Sequence, residues 1–503
     1  MRLENSVKNI KYNIISQVIC LVVQFVSRTF FIKILGNEYL GITGIFNSIL
    51  TLLSLADMGI LTVVVYSMYE PLADKNENKL KMLINEYRKI YNRIALIVFI
   101  LGICFVPFLH LFTKNTINIS NIEFIFILYL LNTITSYLFV YKISIINADQ
   151  KNYIVSVIEQ VFNIITNIVM IFVLLVTHNF ILYLMVQTMF TIISNIYLSK
   201  KAEKMYPFIK KTKGYNLDIM EKEKIKKDTF AMMFHKIGGV IVSGTDNLVL
   251  FLMVGLEEVG IYSNYVLIIS YIKKFASQYF KSITASLGNL NAKSSKEYSF
   301  LIFKKVFFGN FWIYIFCAIC LYFLLNPFIE IWIGKEFVFN NSIVFAIVLA
   351  FYVDGMRQTV LCFREAMGIF YQDRFKPIIE SILNVVISIV LTKQFGIIGI
   401  ALGTMFSMLL TCIWVEPYVL FKYGFSLKVR IYFKIFLKYV LMGIFTFFIT
   451  LLANQFIIGN SVFKFLCRLI VTIIVSNLTI IILNFKTEEF KYFSDIIKNL
   501  LKL

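Results

Sequence analysis

Charge is scarce in this chain. Only 16% of the 503 residues are Asp, Glu, Lys or Arg, against 59% hydrophobic residues, and a soluble globular domain cannot be built from that balance. Histidine is scarcer still. His110, His178 and His235 stand singly, so no metal site is expected. A Gly-x-x-x-x-Gly-Lys-Ser/Thr loop is absent, and ATP is not expected to drive any process here directly. A cytoplasmic acidic metal motif is also missing, and the longest predicted external connection is about Asn326 to Ser342. Both gaps argue against a membrane polysaccharide polymerase or glycosyltransferase. The expectation is a transporter, not an enzyme, with no cofactor.

What is abundant is apolar sequence. Runs of about 20 apolar residues, enough to cross a hydrocarbon core of roughly 30 Å, fall at approximately 12–35, 40–66, 91–113, 122–147, 153–177, 179–199, 230–254, 260–286, 304–325, 341–363, 377–394, 396–421, 433–453 and 461–484. The fold class expected is therefore an all-α integral membrane protein with 14 transmembrane helices. The first run, with Arg28 inside it and no Ala-x-Ala site, reads as a span and not a cleaved signal. Cytoplasmic loops retain Lys and Arg, and of the 49 such residues only Lys114, Lys335 and, at the outer end of its span, Lys393 fall on one side. That asymmetry predicts both termini inside, and it accounts for the formal net charge of +20 without a nucleic-acid partner. Lys far outnumbers Arg, which hints at an AT-rich bacterial genome, and a bacterial cytoplasmic membrane is the expected location. All seven cysteines lie in predicted spans. Cys317-Ala318-Ile319-Cys320 has redox or metal spacing but reads as small apolar packing.

A short turn is used twice. Gly36-Asn37-Glu38-Tyr39-Leu40-Gly41-Ile42 returns 219 residues later as Gly255-Leu256-Glu257-Glu258-Val259-Gly260-Ile261, each between two apolar runs. Glu159 and Asn163 recur as Glu380 and Asn384, and Thr188-Met189-Phe190-Thr191 as Thr404-Met405-Phe406-Ser407, at similar offsets. Duplicated halves are expected, and six spans before the second copy make the repeat parallel. The organisation expected is an N-lobe at 1–199, a basic linker at 200–229, a C-lobe at 230–421, two further helices within 422–485 and a cytoplasmic tail at 486–503. The linker, with ten Lys, reads as a solvated topology signal, and segments 67–90 and 486–503 read as surface helices.

Ionisable groups inside spans take a functional reading by default, because each is costly in hydrocarbon. In the first span Asn13, Gln17, Cys20, Gln24 and Arg28 form one polar stripe, and in the eighth Ser270, Lys274, Ser277, Lys281 and Thr284 form another, with Lys273 alongside. Such faces must look onto protein or water. They predict a central aqueous cavity with Gln24, Arg28, Lys236, Lys273, Lys274 and Arg357 available to an anionic substrate. Asp57, Asp246, Glu159, Glu380 and Asp354 are the candidates for ion coupling or gating. The competing reading is plain neutralisation: Arg28 with Asp57 or Asp246, Lys273 with Asp57, and Asp354 with Arg357 three residues along one helix.

Ser27-Arg28 before Leu35-Gly36-x-Glu38-Tyr39-x-Gly41, then Leu55-x-Asp57-x-Gly59, then Asp246-Asn247 before Val254-Gly255 and Gly260-Ile261-Tyr262, resembles the polysaccharide flippases (Wzx type). These belong to the multidrug/oligosaccharidyl-lipid/polysaccharide (MOP) exporter superfamily. The resemblance implies two six-helix bundles facing each other in a V, plus two C-terminal helices. It implies a lipid-linked oligosaccharide substrate on undecaprenyl pyrophosphate, moved from inner to outer leaflet, with the bilayer, a glycan polymerase and glycosyltransferases as partners in assembly. Related lipid II flippases hold the pyrophosphate with basic cavity residues, and Arg28 is the position carried over by motif. Multidrug or lipid II export within the superfamily is the alternative. With no nucleotide loop, the membrane potential is the expected driving force. A pyrophosphate diester carries about two negative charges, so at roughly 2.3 kcal/mol per charge per 100 mV its outward movement is favoured by at most about 4 to 5 kcal/mol.

Overall fold

The computed structural model describes residues 2–54, 60–112, 121–149, 151–212, 214–223, 225, 244–293, 295–369, 372–457 and 462–501. Among them there is no strand. Asp57 and Lys236 lie outside the described residues. The chain divides into two compact units, Met1–Gly260 and Ile261–Leu503.

In the first unit the helices are α1 (Arg2–Leu35), α2 (Asn37–Leu53), α3 (Ile60–Ala73), α4 (Glu77–Phe105), α5 (Ile122–Ala148), α6 (Asn152–Thr177), α7 (Phe180–Met205), α8 (Gly244–Met253) and the start of α9 (Leu256–Lys293). The second unit holds the rest of α9, then α10 (Lys296–Ile333), α11 (Asn341–Met356), α12 (Gln358–Ala366), α13 (Lys376–Phe395), α14 (Ile397–Leu410), α15 (Cys412–Val419), α16 (Arg430–Asn454), α17 (Val462–Asn484) and α18 (Glu488–Leu501).

Ten segments among the described residues are long and apolar enough to cross a membrane. The four expected spans missing from that set, at about 12–35, 40–66, 230–254 and 260–286, are the hairpin spans. Their polar stripes dilute hydropathy, and the second and third are interrupted by residues outside the described set. Lipid-facing surface is plain on the others. Val161, Ile165, Ile168, Phe172 and Val176 of α6 are exposed on one face, as are Leu437, Leu441, Phe445, Phe448 and Leu452 of α16. In water such stripes would be untenable; in hydrocarbon they cost nothing.

Between helices the packing uses small and polar residues, since lipid offers no hydrophobic drive for association. Ser381, Asn384, Ser388 and Thr392 are buried along one face of α13, where Gly399 and Gly403 of α14 come so close that a Cβ on either would meet α13 backbone. Helices α16 and α17 are joined by Asn454 donating to Thr472 Oγ1 at 3.2 Å.

Three local expectations are corrected. No separate surface helix occupies 67–90: α3 continues to Ala73, and α4 starts at Glu77, capped by the Asn76 side chain accepting from Lys79 N at 3.0 Å. Apolar positions Leu80, Ile84 and Tyr87 continue the buried face of that same helix. The basic linker is not simply solvated. Asn85 donates to Tyr215 O at 2.7 Å, Lys89 to Asn216 at 2.7 Å, and Lys79 pairs with Glu221, so the linker folds back on α4. The connection after the ninth predicted span is shorter than expected, because α10 runs on through Pro327 to Ile333. The tail is helical as expected, and Phe493 of α18 seats against Gly309 of α10.

Candidate functional site

Each copy of the repeated turn uses its two glycines differently. Gly36 and Gly255 take φ of 84° and 148°, a region that disfavours residues bearing a Cβ. Gly41 and Gly260 instead permit contact between the copies. A Cβ on Gly41 would collide with Leu256 O, and one on Gly260 would lie 2.5 Å from Asn37 O. The contact is reciprocal, since Asn37 and Leu256 hold the same place in the repeat. Glu38 lies at this contact. Partial desolvation, helped by the Glu257 charge, raises its pKa above the ordinary carboxylate value. Nearby, Asn247 Nδ2 donates to Ser48 Oγ at 3.0 Å.

Also in the first unit, Arg28 sits half-buried on α1 beside Tyr183 of α7, whose hydroxyl is hydrogen-bonded with Ser27. Phe31 and Tyr39 each meet Phe180 edge to face, at 5.6 and 5.0 Å between centroids, and Phe31 and Phe180 also contact the Tyr183 ring. Gln24 donates to Cys20 Sγ one turn back at 3.6 Å. Asp246 is half-buried on α8, and Glu159 is exposed on α6 with no ion pair among the described residues.

The densest charge cluster lies in the second unit. Helix α11 stops at Met356 and α12 starts at Gln358, leaving Arg357 at the break. Close approach of α10 shapes this place: Gly355 leaves room for the Tyr314 ring, and Asn310 donates to Gly355 O at 3.1 Å. Arg357 Nε and Nη2 donate to the two oxygens of Glu416 at 3.1 and 2.8 Å. That two-pronged geometry is the strongest form of ion pair. Nη1 of the same guanidinium lies 3.5 Å from both Asp354 and Glu380. Lys376, just before Pro377 at the start of α13, pairs with Glu416 and lies 3.5 Å from Glu380. Lys273 of α9 completes the set, donating to Asp354 at 2.8 Å.

Three cations and three carboxylates thus share one site and sum to zero. Burial grades across it: Glu416 is 0% exposed and Arg357 9%, while the Lys273 side chain is 43% exposed. Lys274 is exposed, with its ammonium 4.8 Å from the centre of the Tyr271 ring. Of the expected site residues, the structure therefore brings together Lys273, Asp354, Arg357 and Glu380. Lys273 is paired with Asp354, whereas the neutralising alternative paired it with Asp57. Sequence reasoning missed Lys376 and Glu416. Lys376 fell one residue outside a predicted span. Glu416 lay inside one, and the rule that an intramembrane carboxylate is functional until shown otherwise would have singled it out. Among the described residues no group of three His, Cys, Asp or Glu side chains is placed to hold a metal ion.

Residues 6–284 match the profile of a family described as "Polysaccharide biosynthesis protein". The chain belongs to this family. No curated protein matches it by sequence. Among solved structures, the lipid II flippase MurJ in an inward closed conformation superposes with a TM-score of 0.66 at 18% identity, covering 98% of this chain and 100% of that one. An inward-facing multidrug resistance MATE transporter of the MOP superfamily gives a TM-score of 0.61 at 11% identity, covering 79% and 94%. A MOP superfamily transporter from Pyrococcus furiosus gives 0.54 at 13%, covering 82% and 95%. The fold of this polysaccharide biosynthesis family member is thus that of the MOP transporters, and the protein is multi-pass in the membrane.

Proposed function

We propose that the protein is a flippase that carries oligosaccharide repeat units linked to undecaprenyl pyrophosphate from the inner to the outer leaflet of a bacterial cytoplasmic membrane, for capsule, exopolysaccharide or O-antigen assembly. The observation that carries this reading is the match to a polysaccharide biosynthesis family in a chain with a flippase fold along its whole length. Transport runs by alternating access between an N-lobe (1–199) and a C-lobe (230–421). The polyprenyl tail stays in lipid while the polar head crosses. Pyrophosphate binding is assigned to Arg28, Lys273 and Lys274, with Gln24 and Lys236 as further substrate contacts. Arg357, held by three carboxylates, positions Asp354 and through it Lys273. When pyrophosphate arrives, Lys273 exchanges the Asp354 carboxylate for a phosphate oxygen, and Asp354 is left for a coupling cation. Asp57, Asp246, Glu159 and Glu380 are the remaining coupling or gating carboxylates.

In proteoliposomes loaded with the lipid-linked oligosaccharide, the Arg28→Ala, Lys273→Ala, Lys274→Ala triple variant is expected to lower flipping on the order of a hundredfold or more. Each charge-assisted contact contributes about 1.5 kcal/mol or more, and 1.4 kcal/mol is about tenfold. Wild-type flipping by the inserted triple variant would refute the assignment. The full-length fold match to a lipid II flippase favours a second reading, and the same assay charged with lipid II separates the two.

The orientation follows from the charge asymmetry: both termini and the 200–229 linker inside, Lys335 outside. In a background lacking native cysteines, an impermeant thiol reagent added outside should modify Lys335→Cys and leave Lys213→Cys untouched. The reverse pattern inverts the topology.

A further inference from the structure

At the end of α10 in the second unit lies an open cavity of about 490 Å³, lined also by residues 338–340, the start of α11, the end of α16 and the first turns of α17. Its volume falls within the roughly 300–1,000 Å³ usual for ligand sites. Five of its 13 lining residues are carboxamides: Asn326, Asn340, Asn341, Asn454 and Gln455.

Two of these five build the wall. Asn326 accepts from Tyr265 Oη at 2.7 Å and donates to Phe339 O at 2.8 Å and to Asn341 Oδ1 at 3.0 Å. Asn454 is tied to Thr450 O at 2.9 Å and to Thr472 at 3.2 Å. The other three keep hydrogen-bonding capacity. Asn340 and Asn341 are exposed with only their side-chain oxygens engaged, Asn340 Oδ1 accepting from Ser342 N at 3.3 Å. Gln455 is exposed and has no side-chain hydrogen bond among the described residues. Charge in the lining is balanced, Glu330 against Arg468, and Arg468 donates to Ile457 O at 2.8 Å. Tyr322, Phe323 and Phe339 supply ring surface.

A carboxamide offers a donor and an acceptor side by side, which matches neighbouring hydroxyls that each donate and accept. Ring faces suit the C–H face of a sugar. One cation matched by one anion is the wrong provision for pyrophosphate or a lipid phosphate, which are bound by several cations. We propose that this cavity is a glycan-binding site on the exit side of the transporter, taking the hydroxyl-rich sugars of the lipid-linked oligosaccharide and not its pyrophosphate. The exit-side placement rests on the flippase reading; the sugar chemistry rests on the lining.

The test uses the whole protein in nanodiscs. Its probes are the repeat-unit oligosaccharide released by mild acid from the host's lipid-linked pool and, separately, inorganic pyrophosphate, read by saturation-transfer NMR. The oligosaccharide is expected to bind, pyrophosphate not to displace it, and Gln455→Leu and Asn341→Leu each to weaken it about fivefold, the effect of one lost hydrogen bond. Gln455→Leu breaks no side-chain hydrogen bond among the described residues, so it keeps the test independent of folding. In proteoliposomes the same variants should slow flipping of the full repeat unit while leaving undecaprenyl pyrophosphate bearing a single sugar at the wild-type rate. Unchanged oligosaccharide binding in both variants, or displacement by pyrophosphate or by phosphatidylglycerol, overturns the glycan site. Failure of the wild type to move any lipid-linked saccharide overturns the flippase reading instead, and the binding result still decides the cavity.

Discussion

Glu416→Ala is expected to destabilise the second unit by about 3–5 kcal/mol, the usual cost of removing one partner from a buried ion pair. Glu416 is fully buried and accepts from both Arg357 and Lys376. Its loss leaves three cations facing two carboxylates, and Arg357 and Lys376, the two that Glu416 holds, are largely buried in a low-dielectric setting. The double variant Arg357→Met, Glu416→Met behaves differently. It leaves two matched pairs, Lys273 with Asp354 at 2.8 Å and Lys376 with Glu380 at 3.5 Å, and replaces the lost pair by apolar volume. Thermal unfolding in detergent should therefore show a large drop for the single variant and recovery of most of it in the double. A double variant no more stable than the single would show that the site is not an electrostatic unit. The variant Glu159→Ala, at the place in the first half that corresponds to Glu380, should shift unfolding little, because Glu159 is exposed and makes no ion pair among the described residues.

Gly41→Val and Gly260→Val should each abolish transport and separate the two repeated turns. Overpacking ordinarily costs about 1–3 kcal/mol, but here the added carbons meet the carbonyls of Leu256 and Asn37, which cannot rotate away as a side chain would. Gly36→Ala serves as the contrast. Its Cβ would meet nothing within 4 Å, so only the unfavourable backbone conformation, φ 84° with ψ −176°, is charged, on the order of 1–3 kcal/mol. The measurement is disulfide formation between Glu38→Cys and Glu257→Cys, whose positions flank the contact. Efficient cross-linking with glycine at 41 and 260 and its loss in either valine variant is the expected pattern. Cross-linking that survives both valines would mean the turns meet without needing the glycines.

Much of the fold was legible because the bilayer is a strict solvent. It demands about 20 apolar residues per crossing and satisfied backbone groups throughout, so α5, α6, α7, α16 and α17 lie close to where hydropathy placed them. The hairpin helices were read less securely by the same measure, because the polar stripes that suggest a cavity also lower apolarity. At the candidate site, the i,i+3 spacing of Asp354 and Arg357 foretold their proximity. Nothing local in the chain indicated that Lys273, 81 residues earlier, would share Asp354.

The sequence by itself determined that this protein lives in a membrane, where ten of the segments apolar enough to cross it lie, and that one glycine turn is used twice. Those are properties of composition and spacing along a single helix or turn, and local chemistry suffices to set them. Tertiary structure alone decided which charges neutralise which. It joined Arg357 to Glu416 across 59 residues and folded the basic linker onto α4. It also gave the second glycine of each turn its role at a crowded contact. Such pairings depend on which helix faces pack together, and with polar atoms buried in low dielectric a partner within about 3 Å matters more than any distance along the chain.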